Sequence, residues 1–319
     1  MIDAKKSLAQ DSNSNADLHP TAVVAAIVVV FEPDLQQLSK ILRTIAPQVQ
    51  MGCIIHNGAN FPSDGIQLEL SNFTVVHLGS NLGVASALNA GFSWAQEMHA
   101  NYVVSFDHDS EPASDMVAHL MSAYKALAHL NHKLVAVGPQ QIDGHTGEPA
   151  PFIAPIFGTR RKVFPQNGEP VEVDHLISSG CLVPLQAWTD GGDFLEPLFI
   201  DYVDIEWCLR LRSKGWKFFG VREASLMHRI GEGVRRIGKS QVAWHGPHRH
   251  YFVFRNGVYL QKMSYISQAW KLSDAWQLAK KFVFFTLVAR PPTAHVRAML
   301  TGMRDGWLGK LGPSGSTFE

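Results

Sequence analysis

Apolar and polar positions alternate between two periods along the first half of the chain. Short β-branched runs, "AAIVVVF" (25–31), "GCIIHN" (52–57), "FTVVHLG" (73–79), "NYVVSFD" (101–107) and "LVAVGP" (134–139), read as strands. Between them "DLQQLSKILRTI" (34–45), "GVASALNAGFSWAQEM" (83–98) and "DMVAHLMSAYKALAHL" (115–130) carry helical spacing. Such alternation is the signature of an α/β sheet with parallel strands, whose ligands sit beyond the carboxyl ends of the strands. Asn57-Gly58 and Asp107-His108-Asp109 both fall at such ends. From 139 to 170 the chain is rich in Pro and Gly and reads as a long excursion. Further strands follow in "SSGCLVPLQAW" and "FFGVREASLMH", with an acidic helix start in "FIDYVDIEWCLRLRSKGW" between them. Beyond about residue 247 the pattern is helical, and no internal repeat is present.

Composition narrows the class. The 319 residues are 46% hydrophobic and 18% charged, as in a folded globular chain, and the net charge of zero gives no long-range field that favours nucleic acid. Cys53, Cys181 and Cys208 are too widely spaced for a disulfide framework or a thiolate metal site, which fits a reducing cytoplasm. The start, "MIDAKKSLAQDSNSNADLHP", is polar and lacks the apolar core of a signal peptide, so residues 1–20 read as a disordered tail. No segment reaches the roughly 18 apolar residues of a membrane span. "FVFFTLVA" (282–289), bracketed by Lys280, Lys281 and Arg290, is a core helix by default and an interfacial helix as the alternative.

Four clusters and a lone histidine carry candidate chemistry. Asp107 and Asp109 at a strand end would share one face, and two neighbouring anions call for a cation such as Mg²⁺ or Mn²⁺; the bland alternative is helix capping, shared with Ser110 or Ser114. Asp201, Asp204 and Glu206 either favour a helix N-terminus or, bedded among Phe199, Ile200, Val203, Ile205 and Trp207, supply a desolvated general base. His228 is a further ligand or a core histidine. "GVRRIGKS" (233–240) satisfies the phosphate-loop pattern with Lys239, but lacks the early strand and the long helix that the pattern needs. His245, His248 and His250 lack an acidic or thiolate complement for zinc, whereas Arg249 and Arg255 offer guanidinium forks that suit a diphosphate.

From about Ala25 to Asn256 the landmarks "VVVFEPD", "IIHNGAN", "NLGVASALNAGF", "FDHDSEP", "SSGCLVP", "DYVDIEWCLRLRSKGW", "HRIGE" and "RHYFVFRN" resemble family 2 glycosyltransferases, most nearly bacterial rhamnosyltransferases. The resemblance implies a GT-A fold, a Rossmann-like mixed sheet with flanking helices over residues 21–262, followed by a C-terminal helical segment over 263–319. It implies a divalent metal on Asp107, Asp109 and His228, and Asp204 as the base that deprotonates the acceptor, with Glu206 and Asp201 supporting it or touching the acceptor. Nucleotide-sugar contacts are implied at Val30, Glu32, His56, Asn57, Asn81, Gly83, Asn89, His108, Arg249 and Arg255. The donor implied is dTDP-rhamnose or a UDP-sugar, and the acceptor a glycan or lipid-linked glycan of a surface polysaccharide. The family's Asp-Asn-Gly-Ser stretch is here His56-Asn57-Gly58-Ala59, without the aspartate. The C-terminal helices resemble those of enzymes that act on lipid-linked sugars, which implies a peripheral contact with the cytoplasmic face of the inner membrane. Two other classes stay open on the residues: a phosphate-loop nucleotidase using Lys239, and an inactive nucleotide-sugar-binding protein.

Overall fold

All seven residues of β1 (Val24–Val30) are buried, and their alternation decides the layering. Ala25, Ile27 and Val29 pack with Leu88, Phe92, Leu209 and Leu211 on one face of the sheet. Val24, Ala26, Val28 and Val30 pack on the other with Leu38, Ile41, Leu42 and Met116. A strand with no polar face needs helices on both sides, and the chain supplies them.

The computed structural model describes residues 22–60, 71–130, 134–144, 146–154, 161–166, 168–228, 233–237 and 240–315. The N-terminal tail and Lys239 lie outside the described residues. After β1 come α1 (Leu35–Ile45), β2 (Met51–His56), β3 (Phe73–His77), α2 (Val84–Glu97), β4 (Tyr102–Asp107), β5 (Ser110–Pro112), α3 (Met116–His129) and β6 (Leu134–Asp143). Then follow β7 (Phe152–Ala154), β8 (Arg161–Val163), β9 (Val171–Val173), β10 (Leu182–Pro184), α4 (Leu185–Gly191), α5 (Val203–Ser213) and β11 (Lys217–His228). The last elements are β12 (Gly233–Ile237), β13 (Ser240–Trp244), α6 (Pro247–Leu260), α7 (Gln268–Val288) and α8 (Pro292–Leu308).

Among the described residues, a nine-stranded sheet runs β3-β2-β1-β4-β10-β6-β11-β5, with β9 also on β11. β1 to β4 are mutually parallel, as their alternation with helices predicts. β10 enters antiparallel between β4 and β6, which makes the sheet mixed and joins its two halves. The excursion after Pro139 holds more order than its composition suggests: β6 runs on to Asp143, and β7 and β8 form a short hairpin. Three-residue strands are too short to show a period.

"GVRRIGKS" is not a phosphate loop. Its first five residues are β12, paired antiparallel with β13 from Ser240 onward, and the next helix begins only at Pro247. A phosphate loop needs free backbone N–H groups at a helix start, and here the backbone is committed to a strand ladder.

The C-terminal helices are fastened tightly to what precedes them. Gly302 and Gly306, one turn apart on α8, lie against the carbonyls of Tyr251 and Arg255 on α6, so a Cβ at either position would strike backbone. Phe254 of α6 packs with Leu278 and Phe285 of α7 and Met299 of α8. His250 turns into this interface, its Nδ1 2.9 Å from that of His295, so the three histidines read as a zinc alternative do not converge.

Candidate active site

Asp107 closes β4, and Asp109 lies in the turn that leads into β5. The turn, not a shared strand face, brings the two carboxylates together. β5 runs back antiparallel to β11 in a register that sets Ser110 opposite His228. Ligand atoms of Asp107, Asp109 and His228 consequently lie within 4.8 Å of one another. His228 Nε2 is 3.5 Å from Asp109 Oδ1 and 3.8 Å from Asp107 Oδ2. The turn is held from below by the 178–181 loop. Ser179 Oγ accepts from the Asp107 N–H at 3.1 Å and sits 2.7 Å from Ser110 Oγ, while Ser105 Oγ donates to the Ser178 carbonyl at 2.7 Å.

Electrostatics inside the cluster are opposed. Burial pushes the Asp107 carboxyl above the usual carboxylate range, against the pull of His228. Burial also acts upward on Asp109, but its hydrogen bond and charge contact with His228 win and hold it below that range. His228 is raised: burial favours the neutral ring, and the two carboxylates outweigh it. A proton on His228 thus stands where a divalent cation would be gripped, and two carboxylate oxygens with one imidazole nitrogen suit Mn²⁺ or Mg²⁺. The carboxylate side chains of Asp107 and Asp109 remain 35% and 45% exposed, which leaves room for ligand oxygens. His108 is near enough for its charge to act on both.

Asp204 stands in the first turn of α5. Its Oδ1 accepts from the Ile205 N–H at 2.8 Å and its Oδ2 from the Ser178 N–H at 3.3 Å, so one loop supports both Asp204 and the Asp107 turn. Burial raises its pKa, opposed by the His175 ring and these hydrogen bonds. A carboxylate so placed is a stronger base than one in water.

The strap that delivers Asp204 is unusual backbone. Phe199, Asp201 and Tyr202 all have positive φ, at 66°, 59° and 63°. Phe199 is the centre of a γ-turn closed by the Ile200 N–H on the Leu198 carbonyl at 2.7 Å. Asn256 Nδ2 sits among the carbonyls of Leu198, Ile200 and Asp201 at 3.0, 2.7 and 2.9 Å. Arg255 Nε donates to Asn256 Oδ1 at 2.9 Å, which turns the amide nitrogen toward the strap. Tyr202 donates to buried Asp274 of α7 at 3.0 Å. Gly83, at φ 89°, packs so closely on Phe199 that a side chain would strike its backbone, and the Val84 N–H donates to the Phe199 carbonyl at 2.7 Å.

Three of the residues expected to touch ligand do structural work instead. Arg255 is fully buried, and its guanidinium donates to the carbonyls of Pro197, Leu198 and Gly312, so it cannot reach a diphosphate. Asn89 is buried and bridges α2 to Phe194, donating to its carbonyl and accepting from its N–H. Glu206 is 1% exposed and bound by Arg210 and Tyr265, which withdraws it from an acceptor. Asp201 is held by Arg249 through three contacts of 3.0–3.1 Å, and Arg249 is near enough for its charge to act on His228.

On the β1–β2 side, Asn57 Oδ1 accepts from the Leu82 N–H at 2.8 Å, and Asn81 Oδ1 takes the Gly83 N–H at 3.0 Å. These fix the loop ahead of α2. His56 is buried 3.4 Å from His77, and burial together with His77 lowers its pKa, so the ring is neutral. The Val30 side chain is in the core, which leaves only backbone to a ligand, and Glu32 is exposed at φ 45°. Ser179, His175, Tyr202 and Asn256 went unassigned from sequence; "SSG" and "RN" gave no chemical signal until the structure joined them to the carboxylates.

Residues 52–178 match the sequence model of Glycosyl transferase family 2, a span that contains the Asp107 turn and ends ahead of β10, α4 and the Asp204 helix. The chain is 28% identical over 245 residues to the dTDP-rhamnosyl transferase RfbF of Shigella flexneri, covering 76% of this chain and 81% of that one. The chain is thus similar to family 2 glycosyltransferases, with residues 52–178 carrying the match. Its fold is GT-A. It aligns with the structure of GalNAc-T7 with UDP, GalNAc and Mn²⁺ at a TM-score of 0.54 and 12% identity, over 85% of this chain and 58% of that one. It aligns with S. aureus TarS 1–349 in complex with UDP-GlcNAc at 0.54 and 13%, over 89% and 81%. The chain thus spans little over half the GalNAc-T7 chain.

Two outcomes follow from the geometry of this site. Replacing Asn256 by Ala leaves buried carbonyls without their donor, at about 1–3 kcal/mol, and lets the Asp204 strap relax. Steady-state kinetics should show kcat lower by about tenfold or more, since misplacing a reacting group costs on that scale, with the nucleotide dissociation constant little changed. Asp204→Asn should raise the melting temperature at neutral pH. The native fold raises the Asp204 pKa, so the folded state holds its proton longer and wild-type stability falls as pH rises between the unfolded carboxyl value, about 3.9, and the raised native value. Melting curves across that window should show the gain of the variant opening with pH and vanishing in acid.

Proposed function

We propose that the protein is an inverting, metal-dependent transferase that moves L-rhamnose from dTDP-rhamnose to a glycan or lipid-linked glycan acceptor, in synthesis of a bacterial surface polysaccharide such as an O-antigen. The observation that carries the reading is the convergence of Asp107, Asp109 and His228 beside Asp204, all four tied to one loop or its neighbours. The rhamnosyl assignment is supported by the likeness to the Shigella dTDP-rhamnosyl transferase.

Asp107, Asp109 and His228 would hold Mg²⁺ or Mn²⁺, which when bound neutralises charge on the departing nucleoside diphosphate. Arg249 lies beside that cluster and adds positive charge near the diphosphate. Asp204 accepts the proton of the acceptor hydroxyl as that oxygen attacks the anomeric carbon from the face opposite the nucleotide, which inverts the configuration. The Asn57–Asn81–Gly83 loop lies next to the nucleotide, with neutral His56 replacing the aspartate of related sequences.

A second part of the proposal concerns where the enzyme works. Among the described residues no helix is long and apolar enough to cross a membrane. Yet α7 exposes Leu272, Trp276, Val283 and Leu287, each 58–72% accessible. In the stretch from α7 to α8 both acids, Asp274 and Asp305, are buried, whereas Lys280, Arg290, Arg297 and Arg304 are exposed. Apolar side chains beside purely cationic exposed charge suit an anionic bilayer surface, here the cytoplasmic face of the inner membrane.

Transfer from dTDP-rhamnose should require added Mg²⁺ or Mn²⁺ and stop with EDTA. Asp109→Ala should abolish metal-dependent stabilisation by dTDP, while Asp204→Asn keeps it and loses turnover. An Asp204→Asn enzyme with full activity would reject the base assignment. In flotation assays the chain should bind phosphatidylglycerol-containing vesicles and not pure phosphatidylcholine. Lys280→Glu with Arg297→Glu should cut binding at least about tenfold, at roughly 1 kcal/mol per basic residue. Equal binding to both vesicles, or loss of a homodimer instead, would assign the face to another partner.

A further inference from the structure

A cavity of about 150 Å³ opens between the end of β6, β7 and the 175–177 loop, lined among others by Pro139, Gln141, Phe152, His175 and Ile177. It is too small for a nucleotide, since pockets for drug-sized ligands run roughly 300–1,000 Å³. It lies across β10 from the β1–β2–β4 strand ends that carry the donor residues. Its connection to the chemistry is direct. His175 lines it and is close enough to Asp204 for its charge to lower the pKa of that carboxyl, and Ser178, the residue after Ile177, donates its N–H to Asp204.

The lining has two characters. Phe152, Ile177 and Pro139 are apolar. Gln141 is 8% exposed, its Nε2 is spent on the Ser179 carbonyl at 3.1 Å, and its Oε1 has no hydrogen-bond partner. A buried amide oxygen left unmatched costs free energy until a donor reaches it. A pyranose ring offers what this lining lacks: a C–H face for Phe152 and Ile177, and hydroxyl donors at its rim for Gln141 and His175.

We propose that this cavity is the subsite for the terminal acceptor sugar, with Gln141 Oε1 accepting one ring hydroxyl while another hydroxyl is presented to Asp204. The proposal rests on the transferase reading, in which Asp204 is the base. It makes Gln141, Phe152 and Ile177 determinants of which sugar is extended, separate from the residues that hold the donor.

Saturation-transfer NMR on the full chain with methyl pyranosides of rhamnose, glucose and N-acetylglucosamine, in the presence of dTDP and Mg²⁺, tests it. The wild type should bind at least one of the pyranosides. Ile177→Trp, a change at a partly exposed position that fills the cavity, should weaken that binding at least about tenfold, the scale of a lost pocket contact, with dTDP affinity unchanged by thermal shift. Gln141→Leu should lower affinity in the same direction for sugars that carry the matched hydroxyl. Pyranoside binding that survives Ile177→Trp overturns the proposal, as does a wild type that binds none of the sugars. Loss of dTDP binding in the Ile177→Trp variant would overturn it too, by assigning the cavity to the donor. A wild type that binds a pyranoside but not dTDP would strike at the donor reading alone.

Discussion

The site depends on four residues of backbone that would not hold their shape alone. Phe199, Asp201 and Tyr202 are non-glycine residues at positive φ, each costing about 1–3 kcal/mol. Such a strap persists only where its surroundings over-determine it. Here they do: the Asn256 amide lies among three of its carbonyls, Arg255 aims that amide and takes two more carbonyl contacts, Arg249 grips Asp201, and Asp274 takes the Tyr202 hydroxyl. The strain has a use. It ends α5 abruptly at its start, so that Asp204 projects from the first turn toward the 178 loop instead of lying along a continuous helix.

The same arrangement explains why three helices follow the last sheet strand. α6 supplies Arg249, Arg255 and Asn256, α7 supplies Asp274, and the segment after α8 returns Gly312 to Pro197 and Arg255. Close approach of α8 to α6 at Gly302 and Gly306 sets the depth at which Arg255 is buried. The C-terminal layer therefore holds the Asp204 strap in a mechanical sense, and its outward face is turned away from that contact.

Sequence made the sheet legible where a strand is buried on both faces and a helix of clear period follows, as from Val24 to Asp107. It hid β5, β7, β8 and β9, which are three residues long and gain their identity from tertiary pairing. In the candidate site, Asp107, Asp109, His228 and Asp204 stood out in sequence because their residue types can carry metal or proton chemistry, and the structure brings the first three together. Arg255, Asn89 and Glu206 were misread for the same reason: a guanidinium, an amide or a carboxylate announces chemistry in sequence, and only packing reveals that its hydrogen bonds are spent inside the fold. The converse holds for Ser179 and Asn256, whose types are ordinary and whose positions are not.

His228 shows how far local charge constrains the reaction. Without a divalent cation, two carboxylates at the end of a buried strand are tolerable because the imidazole beside them is pulled toward its protonated form. A metal must displace that proton to use Nε2, so occupancy of the site and the charge on His228 are alternatives. Such a competition would make the cluster weakest for metal at low pH, where the proton is abundant, and Asp204 is part of the same field, since its charge raises the Asp107 carboxyl while its own pKa is set first by burial and by His175. One short loop thereby holds together two carboxylate environments, the Asp107 turn and Asp204, whose charges act on each other.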